Sequence, residues 1–231
     1  KNLNIFEFGV GSGCLMISIL DAIKEANVTF SKTITEMHNK NLNNLNCFKI
    51  NAKGLGIDIS KLALDIAKKN KKSIGIDNLI LLQHNWNKII DYENLTKQII
   101  NTNNKSSHLS TEKDFNINNF TLKNMLEEKF DIIIANPPYI SRSEIEYMSN
   151  ATLLFEPKKA LFAKKNGMQD YITILTKHRN LLHKNSILYF ELGFLSLEKF
   201  LNIIAIDNFF KVEKIYKDLQ GIDRVIKLSI N

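Results

Sequence analysis

The sequence predicts an α/β fold built on a doubly wound, mostly parallel sheet. Strand-like and helical runs alternate along most of the 231 residues, a glycine turn joins the first strand to the first helix, and a buried-looking strand at Phe130–Ala135 stops at two prolines. At this length one core and one domain are expected, spanning residues 1–231.

Leu3 to Phe8 reads as a strand and Gly9-Val10-Gly11-Ser12-Gly13 as a tight turn. A helix follows from Cys14 to Ala26, with Leu15, Ile19, Ala22 and Ile23 spaced for burial. Residues 27–52 are polar and Asn-rich and read as a surface insertion. Gly54 to Asp58 is a second strand ending in an acid. Ser60 caps a helix to about Lys72, with Leu62, Ala63, Ile66 and Ala67 on its apolar side. Leu79 to Gln83 makes a third strand, closing at His84-Asn85-Trp86.

A second polar insertion covers residues 92–128, with at most a short helix at 122–128. After the fourth strand come a helix near Gly167 to Leu182, a strand at Ile187 to Glu191 and a helix from Leu197 to Ile206. Strands at Lys211–Tyr216 and Val225–Ile230, joined by Asp218-Leu219-Gln220-Gly221, read as an antiparallel hairpin at the sheet edge.

The net charge of +7 and the pI near 9.2 point weakly to a nucleic-acid partner. Arginine occurs only at Arg142, Arg179 and Arg224, so the surplus is lysine, and the accompanying Asn and Ile enrichment is what codon drift in an AT-rich genome produces. A nucleic acid is therefore not the expected substrate. Cys14 and Cys47 make neither a disulfide framework nor a ligand cluster. His38, His84, His108, His178 and His183 lack metal-ligand spacing, so no metal is expected. No apolar run reaches the length of a membrane span. The start at Lys1, just before a strand, reads as a fragment whose natural N-terminus lies upstream.

Asn136-Pro137-Pro138-Tyr139 follows the fourth strand, at the carboxyl edge where open α/β sheets bind ligands. Proline has no N–H, so the Asn136 side-chain oxygen and the Pro137 carbonyl present acceptors. Such a pair suits a substrate whose reacting group is an NH2, on an amide or an exocyclic amine.

The spacing Gly9-x-Gly11-x-Gly13 differs from a dinucleotide fingerprint, and Glu7 before it would repel a pyrophosphate. An acid there suits the cationic methionyl moiety of S-adenosyl-L-methionine, the cofactor expected across Glu7, Phe8, Gly9, Val10, Gly11, Ser12 and Gly13. Asp58, beside Ile59, is set to accept the ribose hydroxyls. Asn85 and Trp86 are candidates for the adenine or ribose, with a core-anchor role for Trp86 as the alternative.

These segments resemble the HemK/PrmC family of class I S-adenosylmethionine-dependent methyltransferases. The likeness is carried by Glu7 to Leu15, by Asp58-Ile59-Ser60, by Phe130 to Ile140, and by Phe155-Glu156-Pro157-Lys158-Lys159-Ala160-Leu161 with Gly167 and Tyr171. Gly221-Ile222-Asp223-Arg224-Val225 is similar to the family's closing signature. The resemblance implies a Rossmann-like methyltransferase domain that methylates the side-chain nitrogen of the Gly-Gly-Gln glutamine in peptide-chain release factors, a step in translation termination. It implies Asn136, Pro137 and Tyr139 as catalytic residues, with Pro138 completing the substrate contact and Asn136 also touching the cofactor. Asn-Pro-Pro-Tyr is shared with adenine-N6 and guanine-N2 methyltransferases of nucleic acids, which stand as the alternative. Asn85 departs from the acid usual in the family, and the family's helical N-terminal substrate-binding domain is expected to be absent. The insertions and composition resemble an organellar member, so a mitochondrial location is expected, with a bacterial-type cytoplasmic one as the alternative.

Overall fold

The computed structural model describes residues 1–38, 49–96, 121–139 and 167–231. The Asn-rich runs within 39–48 and 97–120, together with Arg142 and the Glu156-Pro157 segment, lie outside the described residues. The described elements are β1 (Asn2–Phe8), α1 (Cys14–His38), β2 (Asn51–Asp58), α2 (Lys61–Ile74), β3 (Leu79–Gln83), β4 (Phe130–Ala135), α3 (Gln169–Lys177), β5 (Leu182–Glu191), α4 (Leu197–Asp207), β6 (Phe210–Lys217) and β7 (Asp223–Ile230). Residues 92–96 and 121–128 are also helical, and a 3-10 turn at Arg179–Leu181 leads into β5.

The seven strands lie in the order β3-β2-β1-β4-β5-β7-β6. The first five pair in parallel, and β7 runs antiparallel to both β5 and β6, giving the expected edge hairpin. Helices cover both faces of the sheet. On one face α1 and α2 cover Ile5, Val10, Leu79 and Ile134 with Met16, Ile17, Leu20 and Leu64. On the other, α3 and α4 bring Tyr171, Ile174, Leu175, Phe200 and Ile204 onto Phe6, Phe8, Leu55, Ile57 and Phe190. Strand order reverses between β1 and β4, and the crevice at that reversal is the ligand position of such sheets.

Several sequence-based expectations are corrected. The helix predicted to end at Ala26 runs on to His38, so nearly the first half of the supposed insertion is regular. No Gly or Pro interrupts residues 14–38, and a polar run can stay helical when its outer face meets water. β2 starts at Asn51 rather than Gly54, and β5 at Leu182 rather than Ile187. The second polar stretch is not wholly peripheral, because Leu95, Leu122 and Met125 are buried in the main core.

The buried helix faces also differ. Leu15 is exposed while Met16, Ile17 and Leu20 are buried, and Leu62, at 78% exposure, points away from α2's buried Leu64 and Ala67. Both helices carry more apolar residues than one face can bury, so periodicity alone left the choice of stripe open.

The capping expectation for α2 is met. The Ser60 hydroxyl accepts from Ala63 N at 3.2 Å, and Gly75 closes the helix in the left-handed region at φ 73°. Ser60→Ala is expected to cost about 1 kcal/mol, seen as a lower urea midpoint at unchanged slope.

Candidate active site

Backbone register sets the site. Phe8 pairs with Ile57 on one side and with Ala135 on the other, and Ala135 pairs with Phe190. One step further along each strand, Asp58, Gly9, Asn136 and Glu191 stand side by side at the carboxyl edge, neighbours about 4.8 Å apart. The predicted cofactor and acceptor halves therefore meet at the β1/β4 crevice.

The glycine loop leaves β1 with φ of 70° at Gly9, 55° at Gly11 and 80° at Gly13, a region L side chains rarely adopt. Space matters as well at Gly13, where a Cβ would come within 2.8 Å of Ile17 Cδ1 and 3.2 Å of Ala67 Cβ. Val10 N donates to the Ile57 carbonyl at 2.9 Å, and Gly11 N donates to Asp58 Oδ2 at 2.9 Å. The other Asp58 oxygen accepts from Ser60 N at 2.7 Å. The loop, the tip of β2 and the start of α2 are thus locked together through one carboxylate. Each oxygen has a second lone pair for a ribose hydroxyl.

Glu7 lies beneath this loop at 5% exposure. Burial is the main force pushing its carboxyl up from 4.5 to about 8; a hydrogen bond from the Met16 amide opposes the rise, and the Asp58 charge adds to it. Among the described residues its Oε2 has no hydrogen-bond partner. A buried acceptor left open beside a glycine loop fits a cationic ligand group, as the sequence predicts.

Phe8 and Val10 are core residues and offer the loop only their backbone, whereas Ser12 and Ile59 are exposed at its rim. Trp86 lies against Gly9, where a Cβ would be 3.1 Å from its Cζ3. Its indole N–H donates to Asp170 Oδ1 at 3.0 Å, and its carbonyl is 2.7 Å from His178 Nε2. Trp86 therefore walls the loop and anchors α3, the packing role that was the alternative to a ligand contact. The Asn85 side-chain oxygen accepts from Asn87 N at 2.9 Å in a turn.

On the acceptor side Asn136 is exposed, Pro137 is buried, and Pro138 and Tyr139 are half-buried. A fixed proline under an exposed amide holds Asn136 at the mouth of the crevice. Sequence reasoning missed Asp170, Glu191 and Gly193 around this half. Glu191 carried a readable signal, an acid ending a strand just as Asp58 does. Asp170 carried none, since its partner Trp86 is 84 residues away.

The sequence model of a family described as Eco57I restriction-modification methylase matches residues 46–227. The chain belongs to that family. Within the Eco57I methylase family frame, a bifunctional methyltransferase of Rickettsia conorii is 32% identical over 230 residues, which is 99% of this chain and 32% of that protein. A release factor glutamine methyltransferase of Francisella tularensis is 28% identical over 180 residues, 78% of this chain and 50% of that protein. The chain thus spans about a third to a half of the length of these relatives. Both are bacterial, and they lend nothing to the mitochondrial expectation. A class I S-adenosylmethionine-dependent methyltransferase from Listeria monocytogenes superimposes with a TM-score of 0.53 at 11% identity, covering 100% of this chain and 54% of that one. The fold is the class I methyltransferase fold, and S-adenosyl-L-methionine is the cofactor these likenesses support.

Asp58→Ala is expected to weaken S-adenosylmethionine binding by roughly 1.5–3 kcal/mol, the range for hydrogen bonds to a charged group. Unchanged affinity by calorimetry would remove Asp58 from the cofactor site.

Proposed function

We propose that this methyltransferase domain acts on an amide nitrogen, that of the Gly-Gly-Gln glutamine of a peptide-chain release factor. One observation carries the reading: an exposed Asn136, backed by the buried Pro137, stands next to the glycine loop on the sheet edge. Relatives named as release factor glutamine methyltransferases, 27–36% identical, support it.

An amide nitrogen is a poor nucleophile because its lone pair is delocalised into the carbonyl. In the proposed mechanism the Asn136 side-chain oxygen accepts one hydrogen of the substrate NH2 and the Pro137 carbonyl accepts the other. The nitrogen is then held facing the crevice, an orientation worth several kcal/mol of barrier. The two acceptors also meet the positive charge that develops on N–H as the new bond forms. Bound S-adenosylmethionine supplies an electrophilic methyl group, and the surplus proton on the product nitrogen leaves to water. No strong general base is required, and Tyr139 walls the substrate side chain.

A second reading, methylation of an exocyclic amine of a nucleic acid, is favoured by the description of the matching family as a restriction-modification methylase. The two share the NH2 chemistry and differ in the substrate that carries it. Labelled S-adenosylmethionine is offered with a Gly-Gly-Gln release factor, or with duplex DNA or RNA. Label on the release factor glutamine supports the proposal. Label on nucleic acid, with none on the release factor, overturns it.

A further inference from the structure

We infer that Glu191 is a positioning residue of the acceptor half, its carboxylate fixing the Tyr139 ring next to Asn136. The inference rests on the amine-acceptor reading above. By register Glu191 is the strand-end neighbour of Asn136, on β5. Its carboxylate accepts a hydrogen bond from the Tyr139 hydroxyl.

Two glycines hold the same tyrosine. A Cβ on Gly193 would lie 2.6 Å from Tyr139 Cδ2 and 3.1 Å from its Cγ, so the ring packs directly on that backbone. A Cβ on Gly167 would lie 2.2 Å from the Tyr139 carbonyl oxygen, and Gly167 takes a φ of 87°. Hydroxyl and ring are thus met at the end of β5 and the carbonyl by Gly167 ahead of α3, so the aromatic wall of the acceptor pocket is set mainly from the end of β5.

The surroundings of Glu191 are arranged to keep it there. Its own carbonyl accepts the Tyr171 hydroxyl at 2.6 Å, from a tyrosine that is fully buried. Burial pushes the Glu191 carboxyl up, while the Arg224 charge from β7 and the Tyr139 hydroxyl hold it down. Arg224 is in turn paired with Asp218 at 2.9 Å and reaches the Leu192 carbonyl at 3.4 Å. A half-buried carboxylate is costly where a neutral acceptor could serve a purely structural bond, and such groups cluster at functional sites.

The test compares wild type, Glu191→Gln, Tyr139→Phe and the double variant. Tyrosine labelled with carbon-13 at Cζ gives a substrate-free readout, with the Tyr139 signal assigned by its loss in Tyr139→Phe. That signal is expected to move in Glu191→Gln at neutral pH. Turnover is measured on a Gly-Gly-Gln release factor and on duplex DNA. Each single variant is expected to lower kcat about 10-fold with KM and S-adenosylmethionine affinity within about twofold, and the double variant to fall no further than the weaker single. An unmoved Tyr139 signal, multiplied losses in the double variant, or cofactor affinity falling in step with kcat overturns the inference. Should Glu191→Gln fail to fold, Tyr139→Phe reads the contact from its other end, and wild-type kcat in that variant overturns the inference. Wild-type inactivity on both substrates would defeat the functional proposal, and the Cζ signal would then decide the Glu191 contact by itself.

Discussion

Asn136→Ala is expected to lower kcat on a Gly-Gly-Gln release factor by on the order of 10²-fold or more, the usual scale for removing one group that orients or stabilises a transition state. The fold and most of the cofactor affinity are expected to survive. The Asn136 side chain is exposed at the crevice mouth, so its removal leaves no cavity, and the buried Pro137 continues to fix the chain. Asn136→Asp separates the parts of the argument. It keeps an acceptor at similar geometry but adds a charge near the sulfonium, and it should retain more activity than Ala if accepting the hydrogen is the main requirement. Single-turnover rates with cofactor affinity measured in parallel check both variants. Wild-type turnover in both would remove Asn136 from the mechanism.

Glu7→Gln should have two effects of opposite sign. The folded protein holds the Glu7 proton up to about pH 8, whereas an unfolded chain releases it near 4.5. The native state therefore binds the extra proton, and wild-type stability falls as pH rises through that window, by at most about 1.4 kcal/mol per pH unit. A glutamine has no proton to lose, so the variant should gain on wild type steadily across the same window, in thermal melts at stepped pH. Cofactor binding should respond the other way. A cationic group beside Glu7 requires the carboxylate, so binding to wild type releases a proton and tightens with pH by up to about tenfold per unit. Between about pH 5.5 and 6.5, below the range where an α-amino group titrates, calorimetry in buffers of different ionisation enthalpy should register that proton. Glu7→Gln should bind more weakly with a flat pH profile. The same affinity and the same pH slope in both proteins would mean that Glu7 does not meet the cation.

Strand–turn–helix order was legible because Gly9, Gly11 and Gly13, the cap Ser60 and the two prolines are local signals whose physics acts within a few residues. The length of α1 was not, because residues 27–38 mix Thr and Ser with scattered apolar residues and run into the Asn-rich stretch at 39–44, so composition alone did not separate helix from insertion. Leu15 and Leu62 misled because an apolar residue at a helical spacing reports a possible face rather than the face a neighbour covers. In the site, Asp58 and Asn136 could be read from their positions at strand ends. The Trp86–Asp170 bond and the grip of Glu191 and Gly193 on Tyr139 join segments far apart in sequence, and no local pattern encodes them.

The row of Asp58, Gly9, Asn136 and Glu191 spans the crevice between β1 and β4, and one helix reaches both sides of it. Asp170 at the start of α3 holds Trp86 against Gly9, while the next residue, Tyr171, donates to the Glu191 carbonyl. Two consecutive side chains thus couple the glycine loop to the end of β5. A graft after β5 that shifts α3 would disturb both, so new acceptor specificities are best sought by point substitutions that leave Asp170 and Tyr171 in place.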